Sequence, residues 1–416
     1  MIRRESRAIP EARNARGPYL PSRWRRKNAL SYLVIKNVLW YSFNVTEIRD
    51  GAAAWAAAIT GAAKILYALM KRWYLTIAII GCAPAAAFAN DWGMGDANSK
   101  IPPSSVFNPV STPAREIDTV AFFVVSITAV IFLIVAGLLA YSIVRFRARP
   151  GDDGREPPQV YGSNPIEFAW TTVPVIVVLV LFLTTVRTIY TVQAAARPPD
   201  ALSVHVIAHQ WWWEFRYPGL GIVTANELHV PLSDPESPTP TFLDLESADV
   251  VHSFWVPRLA GKTDVIPNRK NSMWIDPQVA GTYLGQCGEY CGTEHAMMLL
   301  RVIVEPRADF DRWVTAQKQP PARDASVGHG RQVFESTACV NCHTIRGTAA
   351  GGRFGPDLTH LMTRETIGAG VAMNTPDHLR VWVTDPNLIK PGALMPAMNL
   401  GDKDLDDLVA YLATLR

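Results

Sequence analysis

Four residues that bind soft metals lie close together near the middle of the chain. Cys287, Cys291, His295 and Met298 follow the spacing C-x3-C-x3-H-x2-M, and another histidine, His252, lies upstream. Two thiolates, two imidazoles and a thioether suit copper far better than magnesium or calcium. A blue-copper site with one metal ion uses one cysteine, whereas two cysteines one loop turn apart can bridge two copper ions. The spacing therefore predicts a copper site for electron transfer.

A structural disulfide between Cys287 and Cys291 is the alternative interpretation of this segment. A disulfide gives no reason for His295 and Met298 to follow in register. Four-coordinate zinc would not require the thioether. Met297, the neighbour of Met298, is expected to be an ordinary packing residue.

A second cofactor signature, Cys339-Val-Asn-Cys342-His343, follows further along the chain. C-x-x-C-H is the signature of covalent c-type haem attachment, in which the two thiols add across the haem vinyl groups. His343 is positioned to supply the first axial nitrogen to the iron. A zinc site would need a second cysteine pair, and only Cys82 remains of the five cysteines.

An electron-transfer haem of this kind needs a sixth ligand, and methionine raises its potential relative to a second histidine. Met395 ends the segment Pro-Gly-Ala-Leu-Met, which fits the Pro-Gly-x-x-Met pattern of small cytochromes c. Met398 is the nearest alternative, followed by Met362 and His360. We expect Met395 to be the ligand.

Two predicted helices flank the haem signature. Residues 327–336 include Gly330 and Phe334 four positions apart, and residues 402–415 carry a leucine and valine stripe on one helical face. The second helix resembles the C-terminal helix that packs across the N-terminal helix in small cytochromes c. Residues 327–416 are therefore predicted to form an all-α cytochrome c domain.

The copper segment resembles the CuA centre of subunit II of the haem-copper cytochrome c oxidases. The resemblance includes residues 285–295, 262–267 and 209–214, and it covers nearly everything from about Asp118 to the end. It implies subunit II of a cytochrome c oxidase that carries a fused cytochrome c domain.

For the copper site, this resemblance implies a particular set of ligands. The two cysteines would bridge two copper ions, each histidine would bind one ion, Glu289 would give its backbone carbonyl, and the methionine would be a weak ligand. The implied CuA ligands are His252, Cys287, Glu289, Cys291, His295 and Met298. The Glu289 carboxylate would also face a magnesium or manganese site shared with subunit I.

Two long uncharged segments, residues 119–144 and 168–186, are each long enough to cross a membrane, which takes about 20 apolar residues. Residues 118–190 are therefore predicted to form a transmembrane helical hairpin. The loop between the two segments carries several arginines, and such loops stay in the cytoplasm. The copper and haem domains would then lie on the periplasmic side of a bacterial inner membrane.

Glu167 lies at the cytoplasmic edge of the second segment, in the pattern Glu-x-x-Trp-Thr-x-x-Pro. An unpaired carboxylate in this position is costly, which favours a functional role. The resemblance implies that Glu167 marks the entrance of a proton pathway into subunit I. A simply solvated interfacial glutamate is the alternative.

Residues 70–89 have the basic start, apolar middle and small-residue end of a signal peptide. We expect translation to start at Met70 and cleavage after Ala89, so that residues 90–117 form a periplasmic segment. Residues 1–69 would be a non-native or disordered extension. Lipidation at Cys82 is the competing interpretation.

Residues 200–306 alternate short apolar runs with Pro and Gly turns, which predicts an all-β Greek-key domain. This layout resembles cupredoxins, with His252 on one strand and the cysteine loop between two others. His205, His209 and His229 are assigned no metal. The predicted strands are residues 202–217, 227–230, 241–245, 250–256, 271–275 and 298–304.

Three consecutive tryptophans, Trp211, Trp212 and Trp213, cannot share one face of a strand because side chains alternate. The resemblance implies that Trp211 is the surface residue through which electrons enter the copper site. Trp212 and Trp213 are expected to pack in the core or to anchor the domain at the membrane interface.

Residues 307–326 are polar and contain proline, which predicts a semi-rigid tether between the copper and haem domains. A tethered donor meets its acceptor at an effective concentration of about millimolar. We expect electrons to pass from an external cytochrome c to the chain's own haem, then to copper, then to subunit I. There, by the resemblance, oxygen is reduced to water and protons are translocated.

The 416-residue chain has a formal net charge of only +3, so nucleic acid is not an expected partner. The expected partners are subunit I, other oxidase subunits, cytochrome c and the membrane. A quinol oxidase subunit II would lack the copper ligands, and nitrous oxide reductase would need a large propeller domain. A copper-delivery protein would bind a single labile copper and would not need covalent haem.

Overall fold

The structure, a computed structural model, describes residues 104–416 apart from 152–153, 155, 157–158, 160, 194, 200 and 322–323. The expectations for residues 1–69, for the signal peptide and for Cys82 lie outside the described residues, as do residues 90–103 of the predicted periplasmic segment.

Two long helices, α1 (Thr112–Arg145) and α2 (Asn164–Gln193), form the predicted hairpin. Their most apolar stretches have mean hydropathies of 2.9 and 2.3, and none of those residues is buried inside the protein. A helix that is apolar on all sides needs an apolar environment around it. Both helices are therefore long and apolar enough to cross a membrane, and both extend a few residues beyond the predicted hairpin.

The hairpin is joined to the β domain by polar contacts at the end opposite its connecting loop. Asp276 accepts hydrogen bonds from the Ser111 hydroxyl at 2.7 Å and from the Thr112 amide at 2.6 Å. The Trp274 indole donates to the Val192 carbonyl at 2.6 Å. These contacts tie both helix ends to the β domain, so the predicted copper ligands have a defined position relative to the hairpin.

The β domain contains two five-stranded sheets with the orders β3-β2-β1-β5-β8 and β4-β10-β9-β6-β7. Strands β1 and β5 are parallel, as are β4 and β10, although neither pair is consecutive in the chain. This crossed topology confirms the cupredoxin-like Greek-key fold. The strands are β1 (Ser203–His209), β2 (Trp212–Tyr217), β3 (Ile222–Ala225), β4 (Glu227–Pro231), β5 (Thr241–Ser247), β6 (His252–Trp255), β7 (Thr263–Val265), β8 (Asn271–Ile275), β9 (Gly281–Cys287) and β10 (Leu299–Glu305).

The prediction of a single strand over residues 202–217 is wrong. The segment folds back on itself, so that His209 of β1 pairs with Trp212 of β2 in an antiparallel hairpin. Its turn falls at Gln210 and Trp211, which are joined by a cis peptide bond. Neither residue is glycine or proline, so the sequence carries no ordinary turn signal here. Strands β3, β7 and β9 were also not predicted.

Aromatic side chains fill the space between the two sheets beneath the copper ligands. Trp213 is fully buried, and its ring meets that of Phe254 edge to face at 5.5 Å. Phe254 also contacts Phe215, at 6.5 Å between ring centres. Close packing of such large rings gives the metal loops a stiff base.

The predicted tether is different in the structure, because residues 307–318 form helix α3 (Arg307–Lys318). Phe310 is buried, and Trp313 stacks on His229 of β4 with ring centres 4.3 Å apart. Phe310, Trp313 and Val314 are spaced i, i+3 and i+4, which places them on one helical face. That apolar face packs on the β domain, so less of the segment is free to act as a spacer.

The C-terminal domain contains the two predicted helices around the haem signature. Helix α4 (Gly328–Ser336) packs against α7 (Asp402–Leu412), and α5 (Cys339–Cys342) carries the signature cysteines. The remaining elements are α6 (Pro376–Thr384), β11 (Thr366–Ile367) and β12 (Ala372–Met373).

Gly330 sets the distance between α4 and α7. A Cβ atom at Gly330 would overlap the backbone carbonyl of Asp407, whereas one at Gly328 would meet nothing within 4 Å. The overlap is with backbone, so it cannot be relieved by rotating a side chain.

We predict that Gly330→Ala destabilises the C-terminal domain by roughly 3 kcal/mol or more, because overpacking forces the two helices apart. Denaturant unfolding, with hydrogen exchange of α7 as the local probe, measures the effect. Gly328→Ala is the matched control and should leave stability nearly unchanged. Equal stability of both variants would show that the α4–α7 crossing does not depend on this close contact.

Candidate copper site and haem pocket

The soft-metal residues converge because β6 and β9 are paired neighbours and β9 leads into the loop before β10. Phe254 of β6 pairs with Cys287 at the end of β9, which places His252 beside that cysteine. The Cys287 amide donates to the Met298 carbonyl at 3.0 Å, which closes the base of the loop. Two adjacent β segments therefore present all five side chains to one small space.

The metal-binding atoms of His252, Cys287 and Cys291 all lie within 4.8 Å of one another, and all three residues are buried. Nδ1 of His295 lies 3.7 Å from Sγ of Cys291, and Sδ of Met298 lies 3.8 Å from the same sulfur. Both cysteines are free thiols, so the predicted ligands meet without the alternative disulfide.

Glu289 contributes its backbone to the same space. Its carbonyl oxygen lies 3.1 Å from Sγ of Cys287, while its carboxylate points to Lys262 with Nζ at 3.2 Å. The carboxylate is partly exposed, which leaves it accessible to a cation. The magnesium or manganese role of Glu289 stays a prediction.

A second carboxylate orients the histidine on β6. Oδ1 of Asp249 lies 2.8 Å from Nε2 of His252, whose Nδ1 faces Sγ of Cys287 at 3.9 Å. Histidine ligands of metals commonly donate their other ring nitrogen to a carboxylate, which fixes the tautomer. Sequence analysis missed Asp249, although its position three residues before His252 is the available signal.

The pKa values of the two cysteine thiols are shifted in opposite directions. A hydrogen bond from Cys291 lowers the pKa of Cys287, and the same interaction raises the pKa of Cys291. The lowered pKa favours the thiolate form of Cys287, which is the form that binds a metal, and Cys291 would lose its proton to a bound metal. Buried thiolate, imidazole and thioether donors fit copper.

The haem signature lines a pocket in the C-terminal domain. Cys339, Cys342 and His343 lie on its wall, together with Met395 and Met398. His343 Nδ1 lies 2.8 Å from the Pro356 carbonyl oxygen, and Nε2 is left to bind a metal. Burial lowers the pKa of His343, so its ring stays neutral, as a metal ligand must be.

The two methionines on the pocket wall are the better candidates for the sixth ligand. Met362 and His360 are not on that wall. The ring of His360 instead contacts the Arg346 guanidinium at 2.7 Å and the Gln317 carbonyl at 3.1 Å.

The pocket suits a porphyrin in shape and in charge. Most of its lining is apolar, including Phe334, Leu361 and Trp382. Arg364 also lines it, and its Nε is buried without a hydrogen-bond partner among the described residues. A buried guanidinium nitrogen that lacks an acceptor would be satisfied by an anionic group, such as a haem propionate.

The haem pocket also borders the copper domain. Trp211, at the turn between β1 and β2, lines this pocket, and its indole donates to the Cys291 carbonyl at 3.0 Å. Gln210 donates to the same carbonyl at 2.7 Å. Trp211 therefore lies between the predicted copper ligand Cys291 and the haem pocket instead of on an open surface.

The other two tryptophans differ from each other. Trp212 lines the haem pocket and stacks on His209 with ring centres 4.2 Å apart, while Trp213 lies in the core.

The histidines that were assigned no metal each contact a carboxylate. His209 contacts the Glu214 carboxylate at 3.0 Å, and His229 contacts the Glu305 carboxylate at 2.9 Å. His205 lies 3.6 Å from the Asp244 carboxylate.

Glu167 lies in the first turn of α2. Its Oε1 accepts a hydrogen bond from the Ser163 amide at 3.2 Å, so the carboxylate caps its own helix. This contact gives Glu167 a structural role at the start of the helix. The proton-pathway role stays a prediction.

Three family models match the chain. The periplasmic domain of cytochrome c oxidase subunit II matches residues 202–305, its transmembrane domain matches residues 102–187, and the cytochrome c model matches residues 327–416. Together they cover nearly all of the described residues.

The chain is similar to cytochrome c oxidase subunit 2 of Alkalihalophilus pseudofirmus, with 33% identity over 70% of this chain and 84% of the relative. It is 34% identical to that of Bacillus sp. strain PS3, over 65% of this chain and 80% of the relative. The periplasmic domain of subunit II of cytochrome oxidase from Bradyrhizobium japonicum matches with 28% identity, a TM-score of 0.27, and coverage of 29% of this chain and 96% of that domain.

The cupredoxin-like domain behind a membrane hairpin, followed by a cytochrome c domain, defines a membrane-anchored subunit with two cofactor-type domains. The chain belongs to the cytochrome c oxidase subunit II family, as a member with a fused C-terminal cytochrome c domain. It is thus a subunit of a haem-copper oxidase complex.

We predict that Asp249→Asn weakens copper binding by about 10- to 100-fold, because the amide holds the His252 tautomer less firmly than the carboxylate does. Competition with a copper chelator measures the affinity. Asp264→Asn on neighbouring β7 is the control and should bind copper normally. Unchanged copper affinity in the Asp249 variant would show that this carboxylate has no role in copper binding.

Exchanging each pocket methionine for leucine distinguishes the two candidate haem ligands. Met395→Leu should lower the haem midpoint potential and abolish the far-red absorption of methionine-ligated ferric haem, because the sulfur ligand is lost. Met398→Leu should retain both properties. The reverse pattern would assign the ligand to Met398.

Proposed function

We propose that this subunit receives electrons from a cytochrome c and delivers them to subunit I. Haem c, held by Cys339, Cys342, His343 and Met395, and two CuA copper ions would supply the one-electron carriers. Subunit I then uses the electrons to reduce oxygen to water, coupled to proton translocation.

The observation that carries this proposal is the position of Trp211. Its ring borders the haem pocket, and its indole nitrogen donates a hydrogen bond to the carbonyl of Cys291, a proposed copper ligand, at 3.0 Å. One side chain thus connects the walls of both cofactor sites. The copper-ligand space itself is buried and built on two sheets, which limits movement of the ligands when charge changes.

Membrane placement follows from the hairpin and the loop between its helices. Helix α1 ends at Arg145, and Arg147 and Arg149 follow in the loop. Because arginine-rich loops are retained in the cytoplasm, we place both cofactor domains on the periplasmic side. That side is also where an external cytochrome c would be available.

A second metal ion at the boundary with subunit I forms part of the proposal. The Glu289 carboxylate lies on the same loop as the copper ligands and is partly exposed. A magnesium or manganese ion prefers oxygen ligands of this kind.

The metal content of the purified oxidase tests the function. We predict two copper ions and one covalent haem in this subunit, together with the spectrum of a mixed-valence copper pair. Cys291→Ser should abolish the dinuclear spectrum, because one bridging sulfur is lost, while the haem spectrum remains. Met297→Leu is the control, since Met297 lies next to the ligand Met298 but is 36% exposed.

One exchangeable copper per chain, or an unchanged copper spectrum in the Cys291 variant, would contradict the proposal. The first result would favour copper delivery instead of electron transfer.

A further inference from the structure

An ion pair is buried where the copper domain meets the cytochrome domain. Nζ of Lys390 lies 3.1 Å from Oε2 of Glu294, and the two side chains are only 4% and 2% exposed. Glu294 lies between Cys291 and His295 on the loop that joins β9 to β10, which we call the copper loop. Lys390 begins the loop that leads to Met395. The pair thus connects the two loops that carry the proposed ligands of the two cofactors.

We propose that Glu294 and Lys390 are positioning residues that hold the cytochrome domain docked against the copper loop and over Trp211. This inference rests on the proposed function and extends it. The haem domain is then a fixed electron donor, in place of one that swings on its tether.

The polar contacts of the Lys390 ammonium group reach across the domain boundary in the part of the chain that the structure describes. Besides Glu294, its ammonium group donates to the Trp211 carbonyl at 2.8 Å. The other oxygen of Glu294, Oε1, is buried and has no hydrogen-bond partner among the described residues. Lys390 is therefore the group that compensates the burial of this carboxylate.

A buried charge that loses its partner is strongly unfavourable. If the domains separated, both groups would return to water, so docking and pairing occur together. Removing only one partner leaves the other charge uncompensated in the docked state. Removing both charges leaves no such penalty, which distinguishes a specific pair from general disruption of the loop.

The two domains also meet closely around this pair. Gly392 has a φ of +104°, and a Cβ atom there would lie 3.0 Å from Cγ2 of Thr293. Only a residue without a side chain allows the Lys390 loop to approach the copper loop this closely. The Lys390 side chain at the start of this loop is almost fully buried, which leaves its ammonium group little room to move away from Glu294.

Three backbone amides cross the same boundary and can report on docking. The Leu299 amide donates to the Ala369 carbonyl at 3.1 Å. The amides of Glu365 and Thr366 donate to the buried Glu227 carboxylate at 3.0 and 2.9 Å. All three lose their acceptors if the cytochrome domain leaves the copper domain.

Docking in this position covers Trp211 with the cytochrome domain. A soluble cytochrome c would then reduce the copper site through the fused haem and not through direct contact with Trp211. The pair thereby helps to determine where external electrons enter.

Hydrogen exchange of the full-length protein tests the proposal without relying on activity. In Lys390→Met, the amides of Leu299, Glu365 and Thr366 should exchange about tenfold faster or more, because the unpaired Glu294 favours separation of the domains. The other amides of β10, and those inside α7, should keep their wild-type rates. Both cofactor spectra should stay unchanged, because neither residue is a proposed ligand.

The double variant Glu294→Gln with Lys390→Met should restore most of the amide protection, since neither charge is left unpaired. Lys403→Met is the matched control, because Lys403 pairs with Asp407 on an exposed face of the cytochrome domain. Wild-type exchange at the three boundary amides in Lys390→Met would overturn the inference. Absence of the copper or haem spectrum from the wild-type protein would instead contradict the proposed function, whatever the exchange rates are.

Discussion

The copper-ligand space depends on one constraint, which is that soft donor atoms must meet in a buried place without bonding to each other. Cys287 and Cys291 are both buried and remain free thiols. Pairing between β6 and β9 brings His252 to them, and the bond between the Cys287 amide and the Met298 carbonyl closes the loop. The sheets beneath the loop therefore determine its geometry, and they also determine the position of the residues that contact the loop.

Hydrogen bonds to the Cys291 carbonyl connect this loop to the cytochrome domain. This carbonyl accepts hydrogen bonds from Gln210 and Trp211, and the Trp211 carbonyl in turn accepts one from Lys390. A chain of polar contacts thus runs from Cys291, a proposed copper ligand, to the loop that carries Met395. The haem pocket and the copper ligands are parts of one continuous arrangement, although their sequence motifs are independent.

Much of the fold, and the meeting of the candidate copper ligands in one place, could be predicted from the sequence, because cofactor attachment needs particular residues at short, fixed spacing. Uncharged segments likewise identified both helices of the hairpin. The hairpin between β1 and β2 could not be predicted, since its turn at Gln210 and Trp211 lacks glycine and proline. The Glu294–Lys390 pair could not be predicted either, because residues far apart in sequence meet only once both domains have folded.

The central claim is that an electron passes from haem to copper within one chain, between domains held in contact. Flash photoreduction of the haem in the purified oxidase, followed at the copper absorption band over a range of protein concentrations, tests it most directly. The account predicts a first-order rate that is independent of protein concentration and of ionic strength, because the contact is intramolecular and its ion pair is buried. A rate that rises in proportion to protein concentration would contradict it.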